Sequence, residues 1–197
     1  MYRRDVPLIK EYVRRKGEEG LLDVASFVLC SIQVPLSRTG EMVKEVKREG
    51  ASAACLWGFK SGGYTHLRKH LTPLYSALFA PQTDDYSAVR LLLDTPGLGL
   101  PKVSFLLQCI GYDLACLDVH NLRRLNLSDS VTKVSPKLKE KTKEKKIKDY
   151  ISLVQKKGSE YWWDSWCKHV SGNRWNKSLP TADEVSYYHY QAITGES

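Results

Sequence analysis

Apolar residues recur every three or four positions along most of this 197-residue chain, while alternating β-branched runs are short. That pattern predicts an all-α protein of about seven to nine helices. Leu8, Ile9, Tyr12 and Val13 trace the apolar face of a first amphipathic helix. The stretch from Leu21 to Ile32 is richer in apolar residues and predicts a more buried second helix, ended by Pro35. A third is expected from Thr39, as its cap, to Glu49, with Gly50 as the stop. After Trp57 the glycine- and lysine-rich run GFKSGG reads as a surface loop that feeds a helix from Tyr64.

Asp84 or Asp85 is placed to cap the next helix, and a further helix is expected from Val119. Residues 133–148 carry eight lysines and only two glutamates. They predict a solvated, partly helical excursion, which as a positive arm also suits phosphate contacts. Four of the five tryptophans, Trp162, Trp163, Trp166 and Trp175, fall near the C-terminus. Trp162 and Trp166 stand one helical turn apart, as a core-facing stripe requires, and the same cluster is able to wall a pocket for a stacked base. Thr181 to Glu184 forms a capping-box pattern that opens the last helix.

Composition narrows the picture. The length suits one compact domain spanning 1–197. The formal net charge of +8 favours a polyanionic partner or an acidic membrane surface. No apolar run reaches the roughly 20 residues that span a bilayer, and the N-terminal residues lack the apolar core of a signal peptide, so a cytoplasmic protein without a membrane partner is expected. The five cysteines are scattered with no Cys-x-x-Cys pair, which predicts buried thiols and neither metal nor cofactor.

The chemistry concentrates in LLLDTPGLGLPKVSFLLQCIGYDLACLDVHNLRRL, residues 91–125. Pro96-Gly97-Leu98-Gly99 breaks one apolar helix and starts another. Amides around Gly97 and Gly99 would then face outward at a helix N-terminus, where the dipole favours an anion such as phosphate. Beyond the second helix stand Asp118, His120, Asn121, Arg123 and Arg124. Asp118 is suited to cap the helix from Val119, to face a pocket as a general base or cation stabiliser, or to do both. Asn121 and Arg124 share a helix face, and Lys102, near a helix start, is a phosphate ligand or a surface lysine.

These residues resemble the helix-hairpin-helix (HhH-GPD) superfamily of DNA glycosylases over roughly residues 21–125. Pro96-Gly97-Leu98-Gly99 is similar to its hairpin, within a motif at 85–110, and Leu117-Asp118-Val119-His120 to its catalytic aspartate segment. Leu29 to Pro35 resembles the helix end from which the family props the gap left by a flipped base, a role that would fall to Gln33. The family's Schiff-base lysine position is occupied by Pro101, with Lys102 one place later, and one place on a helix is about 100°. The resemblance implies a two-lobed helical fold, a pocket beside Asp118, and phosphate contacts from Gly97, Gly99, Lys102, His120, Asn121, Arg123 and Arg124.

The pattern PGLG-x-x-K and LD-x-x-N-x-x-R is also similar to a divergent, virus-associated branch, the helical transferases of thymine hypermodification. Those place an amino acid or polyamine on activated, phosphorylated 5-hydroxymethyluracil in DNA. The resemblance thus implies a monomer acting on double-stranded DNA, with Asp118 and Lys102 catalytic and a small amine as co-substrate. A monofunctional glycosylase is the alternative, and a non-catalytic DNA-binding module a third class.

Overall fold

The computed structural model describes residues 1–135 and 137–196 and shows an all-α protein, with no strand among those residues. The chain runs through α1 (Tyr2–Lys16), α2 (Glu18–Cys30), α3 (Leu36–Glu49), α4 (Phe59–Lys69), α5 (Leu71–Leu78) and α6 (Asp85–Leu92). It continues through α7 (Leu100–Cys109), α8 (Val119–Arg124), α9 (Glu140–Gln155), α10 (Gly158–Val170) and α11 (Ala182–Thr194). None of these helices is long and apolar enough to cross a membrane.

The core is organised around α2. Residues on every side of it are buried, from Leu21 and Leu22 to Phe27, Val28, Leu29 and Cys30, because α1, α3, α4, α5, α7 and α11 all pack against it. A helix apolar all round is stable only with neighbours all round. The C-terminal helices return to the start of the chain: α11 packs on α1, α3 and α10. Asp5, fully buried on α1, pairs with Arg4 at 2.6 Å and accepts the Ser186 hydroxyl of α11. Ser186 Oγ in turn accepts Trp163 Nε1–H at 2.8 Å, so one polar chain pins α1, α10 and α11 together.

Of the two candidate caps Asp84 and Asp85, Asp84 takes the role, accepting Ser87 N–H at 2.8 Å, and the expected capping box at Thr181–Glu184 is in place. Three expectations need correction. The third helix starts at Leu36, not Thr39: Pro35 ends the preceding extended turn, and Thr39 is buried inside the helix. The GFKSGG loop is instead the first turn of α4. Its glycine serves packing, since a Cβ on Gly63 would lie 2.5 Å from Pro96 O, and the missing side chain lets α4 approach the hairpin. Helices also outnumber the expected seven to nine, because apolar runs that read as continuous are divided, as at His70 between α4 and α5. Pro136, within the lysine-rich stretch, lies outside the described residues, as does Ser197. The rest of that stretch leads into α9, which buries Ile147, Tyr150, Ile151 and Val154.

Candidate active site

The hairpin between α6 and α7 is closed by Leu98 N–H to Thr95 O at 3.1 Å, with Leu98 buried as its plug. Gly97 takes φ +80°, and a Cβ there would sit 2.4 Å from Phe59 Cδ2, so both backbone and space demand glycine. Gly99, the N-cap of α7, is different: φ is −78° and a Cβ would meet only Pro101 Cδ at 3.9 Å. The amides of Gly97, Gly99 and Leu100 have no protein acceptor among the described residues. They lie where the α7 dipole is positive.

Lys102 stands in the first turn of α7. Its Nζ donates to Ser31 Oγ at 3.2 Å and lies 5.5 Å from the Phe105 ring centroid. The side chain lines both a narrow aromatic slot and the wider groove outside it, despite its one-place offset.

Asp118 reaches the same slot from the other side. The buried segment from Leu114 to Leu117 is held by the fully buried Tyr150 of α9, whose hydroxyl donates to Ala115 O at 2.7 Å and accepts Leu117 N–H at 3.0 Å. Asp118 Oδ1 then caps α8, accepting the amides of His120 at 3.1 Å and Asn121 at 3.0 Å. No protein donor among the described residues meets Oδ2, and the carboxylate lines both slot and groove. Capping and pocket-facing are thus one conformation.

The other α8 residues divide. His120 is exposed on the groove. Arg123 is exposed without an ion pair among the described residues. Asn121 is buried, donating to Cys116 O at 2.8 Å and accepting Arg124 Nη1 at 3.3 Å, so it braces the turn and does not reach the groove. Arg124 spends its other nitrogen on Ser165 Oγ at 2.6 Å. Gln33 projects from the groove wall just after α2, in the left-handed region at φ +58°. That conformation costs a non-glycine residue roughly 1–2 kcal/mol.

The slot, about 40 Å³, is walled by Phe105, Trp162, Trp163 and Trp166, with His189 of α11 at its floor. It opens to a groove of about 740 Å³ that runs past Gln33, His120 and the exposed Trp175. Cys116 also lines the slot, and burial pushes its thiol up to about 12, which keeps it protonated near neutral pH. Sequence reasoning passed over Ser31, Phe105, Tyr150 and His189. Tyr150 and His189 lie among residues whose pattern signals only an amphipathic helix, and nothing local marks their contacts. Comparison of the chain with protein-family models, curated proteins and solved structures finds no match.

Proposed function

We propose that this protein is an enzyme that acts on a base extruded from double-stranded DNA. The observation that carries the reading is the convergence of the Lys102 ammonium and the Asp118 carboxylate on the mouth of one aromatic slot. A base within a duplex is out of reach of such a slot, so it must leave the stack. Three unmet hairpin amides, Lys102, the chain's net charge of +8 and the exposed Trp175, with Arg174 stacked on it at 4.5 Å, suit the DNA around it. Gln33, held in a strained conformation at the rim, suits the gap that the base leaves. The two-lobed architecture of the helix-hairpin-helix glycosylases belongs to the same reading.

The favoured chemistry is transfer of an amino acid or polyamine to phosphorylated 5-hydroxymethyluracil. The amine nitrogen attacks the methylene carbon on C5 and its proton passes to Asp118 Oδ2. The carbon–oxygen bond breaks, and the phosphate departs with the electron pair, its charge met by Lys102. Lys102 makes no ion pair with Asp118, so its charge is available to a leaving group. The alternative is hydrolysis of the glycosidic bond, with Asp118 stabilising the sugar cation.

Mass spectrometry separates them. Duplexes carrying thymine, 5-hydroxymethyluracil or its phosphate ester are incubated with candidate amines and either wild type or Asp118→Asn. A heavier nucleoside that vanishes in the variant supports the transferase, whereas free base with an abasic site establishes the glycosylase. No change in any duplex across the amine panel sinks the enzyme reading.

A further inference from the structure

His189 is 1% exposed, yet one of its ring nitrogens has no protein partner. Its ring is enclosed by Phe27, Phe105, Trp163 and Trp166, with centroids 4.7–5.8 Å away. Nδ1 lies 2.7 Å from Val185 O, one turn back on α11. A carbonyl only accepts, so Nδ1 carries the proton. Burial also pushes this imidazole down to about 4, against the Asp5 carboxylate that favours protonation and with the Lys102 ammonium that opposes it. The ring is neutral, and Nε2 is a bare lone pair.

Buried polar atoms in folded proteins nearly always have a partner, and an orphan acceptor at the floor of a cavity calls for a donor from outside the chain. Three neighbouring donors are already committed. Trp162 Nε1 goes to Val154 O, Trp163 Nε1 to Ser186 Oγ, and Gln108 Nε2 to Ser159 O. The slot therefore combines aromatic walls with a lining imidazole whose Nε2 has no partner of its own. Its small volume suits the edge of a single six-membered ring better than a fused purine.

We infer that His189 is a specificity-determining residue, whose Nε2 accepts the imide N–H of an extruded keto-pyrimidine, thymine- or uracil-like. The inference rests on the base-in-DNA reading above and adds to it the residue that selects the base. Cytosine presents a ring acceptor where thymine presents N3–H, so two lone pairs would face each other.

Binding tests this without catalysis. Duplexes carry thymine, N3-methylthymine or cytosine opposite an abasic site, so that none is paired, and affinity is read by fluorescence anisotropy with wild type and His189→Phe. Wild type should prefer thymine by about ten- to a hundredfold over either competitor, the size of a buried unsatisfied hydrogen bond. His189→Phe should bind all three alike. Because the comparison among ligands uses wild type, it stands even if the variant folds poorly. Equal wild-type affinity for thymine and N3-methylthymine overturns the role of His189 while leaving the DNA reading intact.

A second arm removes the DNA. Histidine-labelled protein is titrated with 1-methyluracil and with 1,3-dimethyluracil, and the His189 Nε2 nitrogen resonance is followed. A shift with the first alone supports the inference even if no duplex binds, in which case only the DNA reading fails. No shift with 1-methyluracil, together with no discrimination among duplexes, overturns it.

Discussion

Lys102 on the first turn of α7 donates to Ser31 Oγ, at the end of α2, across 3.2 Å. That contact joins the hairpin to the Gln33 loop and aims a cation at the mouth of the slot, 5.5 Å above the Phe105 ring. Ser31 Oγ itself donates to Val28 O at 2.7 Å, so its lone pairs are turned toward the ammonium.

Lys102→Met keeps the aliphatic stem against Phe105 and removes the charge. If Lys102 meets a DNA or leaving-group phosphate, the dependence of log affinity on log salt should become shallower by about 0.9. The thermal midpoint should move little, because a partly exposed lysine with one neutral partner contributes little to stability. An unchanged salt slope would remove Lys102 from the phosphate contacts.

The two hairpin glycines should separate under mutation. Gly97→Ala forces φ +80° on a side chain that collides with Phe59, so a loss of about 1–3 kcal/mol in chemical denaturation is expected. Gly99→Ala fits both the backbone and the space and should leave stability unchanged. Its methyl group would nevertheless stand beside the free amides, so DNA affinity should drop. Equal DNA binding by Gly99→Ala and wild type would mean that no phosphate approaches that turn.

Gln33→Gly tests the rim. Glycine adopts φ +58° without the Cβ clash, so the variant should be as stable as wild type or slightly more so. Extrusion of a base, followed by the fluorescence of a 2-aminopurine placed at the target site, should fall if the glutamine side chain props the gap. A variant that is less stable, with extrusion intact, would assign Gln33 a purely structural role.

Acid should destabilise the protein through His189. Its native imidazole titrates near 4, whereas in the unfolded chain it titrates near 6.5. The unfolded state therefore takes up the proton first as pH falls. The stability is complete above about 6.5, declines through the interval below it, and is lost by about 4, a contribution of roughly 3 kcal/mol. Urea midpoints at pH 7, 5.5 and 4.5 should fall more steeply for wild type than for His189→Phe, and parallel declines would contradict the assignment.

The all-α class, the Asp84 cap, the Thr181–Glu184 capping box and the glycine hairpin were legible in the chain, because each depends on residues within one or two turns of one another. The same holds for Asp118 as the cap of α8. What local pattern misjudged was context. Gly63 reads as loop by propensity, yet it lies within α4, where its missing side chain makes room for Pro96, 33 positions away in sequence.

The amino-acid sequence alone determined the helical class, the caps that open α6, α8 and α11, and which residues carry charge near the hairpin, since backbone preference and capping act over a few residues. Only the tertiary structure decided that Lys102 and Asp118 share a slot, that Tyr150, just beyond the lysine-rich segment, anchors the turn before Asp118, and that His189 lines the slot with a free lone pair. Those relations join residues 16 to 87 positions apart, and no local periodicity encodes which buried faces of α7, α9, α10 and α11 will meet. That is settled by which packing leaves the fewest buried polar groups without a partner and the least apolar surface in water.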